Sequence, residues 1–343
     1  MSAFGPLNNR GLSLLHRVLI IGVGSIGHRH LRCFQTTNRV QLEICETNQA
    51  LADDLARQYG VQRVFSSLDD ALVDPPDAAV ICTPAHLHIP MAHQLANRGV
   101  DLLIEKPLST SIDGIEELQQ LITQRELVCA IAYVMRQHPL VESAKQAVHD
   151  KRFGSLLQLT VTSGQDFPFY RPAYRETYYA KHTTGGGAIQ DAITHMMNSI
   201  QWIAGRTTAL VCDAAHQQLP GVSVEDTVHV MIRHGAIMGS LTLNQFQSPN
   251  ETTLQLNFER GSIRYEFHNN KWAFSTEPEA GWLPGGQYKL ERDDLFTKQA
   301  NVFLDCVEQR TTPTCDLHDA LHTLHTNLAM LESNQAKQWV HIP

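Results

Sequence analysis

Arg17-Val18-Leu19-Ile20-Ile21-Gly22-Val23-Gly24-Ser25-Ile26-Gly27-His28-Arg29-His30 decides how the rest of the chain is read. Val18 to Ile21 is a short apolar run rich in β-branched residues, the pattern of a fully buried strand. It leads directly into Gly22-x-Gly24-x-x-Gly27, and the residues through Leu31 and Phe34 continue as a helix. Strand, glycine turn, helix is the setting in which this spacing binds a dinucleotide. Gly22 allows the tight turn, Gly24 lets a pyrophosphate approach the backbone, and Gly27 lets helix and strand pack closely. The helix start at Ser25 and Ile26 offers unpaired N–H groups and a partial positive charge to phosphate.

The second strand, Val40–Cys45, ends in Glu46. This is about twenty residues beyond Gly27, where an acidic residue binds the adenosine ribose hydroxyls. A carboxylate there repels a 2′-phosphate, and Thr47, Asn48 and Gln49 bring no cation. The expected cofactor is therefore NAD rather than NADP.

The 343 residues are enough for two domains, each with its own core. A hydrophobic content of 43% and a charged content of 18% are globular values. The net charge of −8 argues against a nucleic-acid partner. No apolar run approaches the ~20 residues of a membrane span. Residues 1–16 read as a loose, polar extension with no signal-peptide core. Seven cysteines without C-x-x-C spacing fit free thiols in a reducing cytoplasm. His318, His322 and His325 have a spacing that could ligate zinc. The leucines 317, 321, 324, 328 and 331 make the same stretch an ordinary buried helix, and no metal is expected.

From 17 to about 135, strands alternate strictly with helices. After Val40–Cys45 come a helix at Gln49–Tyr59 closed by Gly60, a strand at 64–65 and a short helix at 69–72. Strands at 78–82, Asp101–Ile104 and 127–133 then alternate with helices at 86–98 and 111–124. This is the pattern of a doubly wound parallel sheet, with the ligand site at the C-terminal strand ends. That edge gathers the glycine turn, Thr83-Pro84, Glu105-Lys106 and the stretch from Tyr133 to Arg136. From 136 to 343 the pattern changes to long alternating strands at 156–163, 226–233, 236–244, 253–258 and 262–267. These read as a large, mostly antiparallel open sheet. Helices at 140–149, 188–203 and 316–333 accompany it.

Two stretches carry chemistry. Lys106, between Glu105 and Pro107 at a strand end, can sit over a nicotinamide or a substrate hydroxyl; a plain surface lysine has the same sequence signature. Gly185-Gly186-Gly187 opens a helix on which Asp191 and His195 stand four residues apart on one face. A carboxylate beside an imidazole suits general acid–base work. Met196, Met197, Ile200 and Ile203 read as core.

Gly22-x-Gly24-x-x-Gly27, Glu105-Lys106-Pro107 and Gly185-Gly186-Gly187…Asp191-x-x-x-His195 occur in an order and spacing that resemble the glucose–fructose oxidoreductase / inositol dehydrogenase / MocA family. The likeness takes in Tyr133-x-x-Arg136-x-His138-Pro139 and the closing Trp339-Val340. It implies a Rossmann domain, then a substrate-binding α/β domain whose open sheet forms a homodimer or homotetramer. The implied activity is hydride transfer between NAD(P) and a secondary alcohol of a sugar, inositol or nucleotide sugar. It makes Lys106 and His195 the catalytic pair, either one taking the proton, and gives Asp191 the role of orienting His195 or substrate. Glu105 would touch the nicotinamide ribose; Thr83, Pro84 and His88 would line the cofactor path, with Arg136 a further cofactor contact. Two positions depart from the family: Ile193 stands where glycine is frequent, and Asn198 where an acidic residue is frequent.

The stretch 165–181 precedes the triple glycine. Its Tyr170 and Tyr174 can stack on sugar C–H faces, and Arg171, Arg175 and Lys181 can bind a carboxylate or phosphate. The same aromatics also suit a lid or interface loop. A sugar-like substrate, acidic or nucleotide-linked, is the reading that uses them. Two alternatives share the fold: a non-catalytic NAD-binding regulator and a sugar hydrolase that recycles its NAD.

Overall fold

The structure, a computed structural model, describes residues 15–343. The extension expected over 1–16 lies outside the described residues except for its last two positions, and His16 already belongs to the first strand. Six parallel strands follow: β1 (His16–Ile21), β2 (Val40–Cys45), β3 (Arg63–Phe65), β4 (Ala78–Ile81), β5 (Asp101–Ile104) and β6 (Cys129–Ile131). Their order is β3-β2-β1-β4-β5-β6. The order reverses between β1 and β4, and the crevice beyond the carboxyl ends of those strands is where such sheets bind ligands.

The helices form where the sequence supplies both periodicity and caps. Gln49–Tyr59 begins at Asn48, whose side chain accepts from the Leu51 N–H, and ends at Gly60 with φ +69°. Ser25–Thr36 turns His30, Leu31 and Phe34 inward and packs with Val18 and Ile20 into one of two cores flanking the sheet.

Nine strands make the second sheet: β7 (Leu156–Asp166), β8 (Ala209–Ala215), β9 (Thr227–His234), β10 (Ile237–Asn244), β11 (Phe246–Phe258), β12 (Gly261–Glu266), β13 (Lys271–Ser275), β14 (Leu283–Gln287) and β15 (Val340–His341). They lie in the order β14-β13-β12-β11-β7-β10-β9-β8-β15. Among the described residues of this sheet, only β7 and β10 run parallel to each other; the remaining pairs are antiparallel. Val228, Val230 and Ile232 of β9 turn to one face. There they meet the helices Pro139–His149, Thr194–Ala204 and Leu317–Ala336 in a single core. The other face carries exposed Met231 and Met238.

The structure adds elements that the sequence reading above does not include: β8, β13, β14, β15 and the helix Asp294–Gln309. That helix does not belong to the second sheet. Its Ala300, Phe303, Leu304 and Val307 fill the core beneath β1 and β2. Leu317, Ala320 and Leu324 of the last helix likewise join the first sheet's other core. The chain thus returns to its N-terminal sheet after residue 293. The helix read over 188–203 is two pieces, a π-helical turn at Ala188–Ile193 and an α-helix at Thr194–Ala204.

Candidate active site

The glycine turn is built as its spacing requires. Gly22 has φ +77°, and a Cβ on Gly27 would fall 1.9 Å from the Gly22 carbonyl oxygen. A Cβ on Gly24 would meet nothing within 4 Å. Gly24 and Ser25 are exposed, and the helix that starts there has no side-chain cap and no acidic residue in its first turn. An uncapped, exposed helix N-terminus free of negative charge fits a pyrophosphate. Glu46, at the end of β2, closes the far side. Its carboxylate accepts from the Val23 N–H at 2.8 Å and from the Asn48 N–H at 2.9 Å. Those two bonds hold a carboxylate beside the turn.

Thr83 and Pro84 follow β4. A Cβ on Gly22 would touch the Thr83 methyl at 3.3 Å, so the two strand ends are neighbours. His88 is 1% exposed and bridges this loop to the next. Its Nε2 lies 2.8 Å from the Thr83 carbonyl and its Nδ1 3.0 Å from that of Pro107. Burial holds its pKa below the ordinary imidazole value. His88 therefore ties the β4 loop to the Lys106–Pro107 loop, whose peptide bond is cis.

Glu105 is also engaged by the protein. One oxygen accepts from His30 Nε2 at 2.7 Å and the other from the Lys106 N–H at 3.0 Å. Burial alone would raise its pKa; the hydrogen bond and charge of His30, with Lys106, carry it below the usual carboxylate range. The expected ribose ligand is thus a buried link between the glycine-turn helix and the lysine.

Lys106 reaches across to the second half of the chain. Its Nζ donates to Asp191 Oδ1 at 2.8 Å and to the Asp191 carbonyl at 3.0 Å. Both side chains are only 12% exposed. Tyr178 donates its hydroxyl to the same Oδ1 at 2.8 Å. Burial opposes the Asp191 charge, but the Lys106 ammonium and these hydrogen bonds hold its pKa below the ordinary value. The Asp191 charge in turn pushes the Tyr178 hydroxyl well up. The π-helical turn delivers Asp191 to this position, a common use of such turns at functional sites.

His195 lies one turn further on, edge-on to the Tyr133 ring with centroids 6.3 Å apart. Its Nδ1 is buried without a partner, and no hydrogen bond among the described residues joins it to Asp191. Of the two roles expected for Asp191, orienting substrate or His195, the second has no direct bond here: the carboxylate is held by Lys106 and Tyr178. Burial, then the Lys106 charge, push the His195 pKa down to about 3, with Asp191 acting the other way. The imidazole is neutral at neutral pH.

Other expected contacts have different duties. Arg136 is 2% exposed, and its guanidinium is engaged by the protein. It donates to Asn198 Oδ1 at 2.7 Å, to Asp319 and to the Thr314 carbonyl, tying three segments together. Asn198, where the family often has an acid, is buried and also donates to Thr323. Tyr174 is 2% exposed and packs with Phe167, Tyr179, Leu219 and Val224, so it is core rather than a sugar platform. Arg175 lies over the Tyr174 ring and donates to the Pro220 carbonyl at 2.7 Å. Tyr170 and Arg171 stay exposed.

His322 accepts the Thr207 N–H at 3.0 Å, and His318 lies 3.1 Å from an Arg206 nitrogen. Asp316, His318 and Asp319 have ligand atoms within 4.8 Å of one another. Asp316 caps the helix and Asp319 pairs with Arg136. Tyr178 and Glu225 are the site residues that sequence patterns missed; Tyr178 meets Asp191 from the loop before it, and Glu225 meets the Ile189 N–H from beyond a helix and a strand.

Residues 16–133 match the model of an oxidoreductase family with an NAD-binding Rossmann fold, and residues 141–264 match the GFO/IDH/MocA C-terminal domain. Levoglucosan dehydrogenase of Pseudarthrobacter phenanthrenivorans is 27% identical over 256 residues, 66% of this chain and 65% of that protein. D-xylose 1-dehydrogenase (NADP(+)) 2 of Haloferax volcanii is 22% identical over 92% of this chain and 96% of its own length. Among solved structures, levoglucosan dehydrogenase in complex with NADH superposes with a TM-score of 0.86 at 20% identity, covering 96% of this chain and 99% of that one. The WlbA dehydrogenase from Bordetella pertussis, in complex with NADH and UDP-GlcNAcA, gives 0.84 at 22% identity over 98% and 99%. With both family domains matched in order along a fold of this topology, the chain belongs to the GFO/IDH/MocA oxidoreductase family, and its first sheet is an NAD-binding Rossmann domain.

Proposed function

We propose that this protein moves a hydride between NAD and a secondary alcohol carbon of a sugar, polyol or nucleotide sugar. The observation that carries the reading is the meeting of Lys106, Asp191 and His195 at the strand edge that also bears the glycine turn. When bound, the nicotinamide supplies the hydride acceptor or donor. Gly22, Gly24, Ser25, Ile26 and Gly27 hold its pyrophosphate, Glu46 its adenosine ribose, and Thr83 and Pro84 flank its path. The relatives bearing dehydrogenase names, for levoglucosan, D-xylose and scyllo-inositol, support the substrate class.

The division of labour follows from charge. Neutral His195 has a lone pair free to take the hydroxyl proton. The Lys106 ammonium, fixed by the Asp191 carboxylate that Tyr178 also holds, stabilises the alkoxide character that develops as hydride departs. Asp191 then offsets part of the repulsion between Lys106 and the newly formed imidazolium. Tyr170 and Arg171, exposed on the loop leading to this site, are the substrate contacts of the reading.

The same reading makes 17–135 the cofactor domain and 136–343 the substrate and assembly domain, with the helix at 294–309 returning to brace the first. The open face of the second sheet, with Met231 and Met238 exposed among threonines and serine, is the proposed contact between copies in a homodimer or homotetramer. Seven free thiols suit a reducing cytoplasm, and no described helix is long and apolar enough to cross a membrane.

The test is absorbance at 340 nm with NAD and a panel of sugars, inositols, sugar acids and UDP-sugars. A rise with one class supports the reading and names the substrate. Silence across the panel, with NAD binding confirmed by thermal shift, would sink it.

A further inference from the structure

The turn that carries Asp191 begins at Gly187 with no cap of its own. Its first N–H groups are instead satisfied from a distant loop. The Ala188 N–H donates to the Glu225 carbonyl at 2.9 Å, and the Ile189 N–H to Glu225 Oε1 at 2.8 Å. Glu225 is 6% exposed. It reaches this place because residue 187 has no side chain: a Cβ there would lie 2.5 Å from Oε1. A carboxylate at a helix start is favoured by the orientation of the peptide dipoles.

The loop holding Glu225 is itself pinned. Asp226 accepts the N–H groups of Gln217, Gln218 and Leu219 at 2.9, 2.7 and 2.8 Å. The other Glu225 oxygen pairs with His182. His182 also offers its carbonyl to Gln190 Nε2 at 3.1 Å, and it lies on the same loop as Tyr178. The contacts therefore close a ring: Tyr178 to Asp191, Asp191 along the turn to Ile189, Ile189 to Glu225, Glu225 to His182, and back along the loop to Tyr178.

We infer that Glu225, admitted by Gly187 and tethered to His182, is the positioning residue that keeps Asp191 and His195 in register with Lys106. It touches neither the cofactor cradle nor the lysine; it acts through the helix start. The titratable groups that face it are His182, Tyr179 and Cys212. Its hydrogen bond raises the pKa of His182. Burial, followed by nearby negative charge that includes Glu225, raises those of Tyr179 and Cys212.

This inference rests on the oxidoreductase reading for its meaning, so its test needs no substrate. The full-length chain, labelled with 15N-histidine, is titrated by NMR, with the His195 signal assigned from its loss in His195→Gln. In Glu225→Ala and in His182→Gln the midpoint of His195 rises by about one unit or more, as the imidazole leaves its buried place beside the Lys106 charge. Glu225→Gln keeps an acceptor for the Ile189 N–H, and falls between wild type and Glu225→Ala. If Glu225→Ala does not fold, the other two variants decide. Midpoints at the wild-type value in Glu225→Gln and His182→Gln overturn the inference, whatever the sugar panel gives. Moved midpoints beside a silent panel uphold it and count against the substrate reading alone.

Discussion

Asp191 shows how far a single residue can be read in advance. Its helical spacing to His195 was legible, but its partners were not. Lys106 stands 85 positions earlier, and Tyr178 lies 13 earlier across irregular chain. No local period links such residues, so only the fold brings them together. Asp191→Asn removes the counter-charge that fixes Lys106, and turnover should fall about 100-fold or more while NADH affinity stays near wild type. Steady-state kinetics beside a fluorescence titration with NADH checks this. His195 carries a pH prediction. Its folded pKa lies far below the ordinary imidazole value, at about 3, so the neutral base persists through mildly acidic solution. The profile of kcat/KM for alcohol oxidation should then show no acid inflection near 6.5, and an inflection there would contradict the assignment.

At the scale of elements, the glycine turn and its flanking strand and helix were legible because three constraints coincide there: apolar strand, fixed glycine spacing and helix. The same geometry separates two glycines. Gly27→Ala places a methyl group 1.9 Å from the Gly22 oxygen, whereas Gly24→Ala meets no protein atom. Gly27→Ala should lose stability or fail to fold; Gly24→Ala should keep its melting temperature yet bind NADH at least about tenfold more weakly. Thermal melts and NADH titrations of the two variants separate these outcomes. β14 was illegible for an equally physical reason. It reads Leu-Pro-Gly-Gly-Gln, and a Cβ on Gly285 would strike the Trp272 ring at 2.1 Å. Packing against a tryptophan, not strand propensity, sets that sequence. The helix Asp294–Gln309 does carry a period in Ala300, Phe303, Leu304 and Val307. Its destination, the opposite sheet, is a tertiary fact that no local pattern encodes.

Across the whole molecule, the two sheets and their order along the chain were legible from the change of period near residue 135; the crossing of the last helices back to the first sheet was not. Buried histidines give the molecule a common acid response. His138, His195 and His322 are pushed down to about 4, about 3 and about 4, chiefly by burial. Their folded pKa values lie below the unfolded ones, so the unfolded chain binds more protons once pH drops below about 6.5. Stability from these groups is present above that pH and is lost progressively on acidification. Melting temperatures should therefore fall from pH 7 to pH 5, and a flat profile would contradict the burial of these rings as neutral groups. The central claim is that the two halves of the chain meet at Lys106 to transfer a hydride, and one measurement tests it most directly: kcat together with NADH affinity in Lys106→Ala, using the substrate found in the sugar panel. The account predicts a loss of kcat of about 1,000-fold with NADH affinity changed by less than about threefold. Turnover near the wild-type rate in that variant would contradict it.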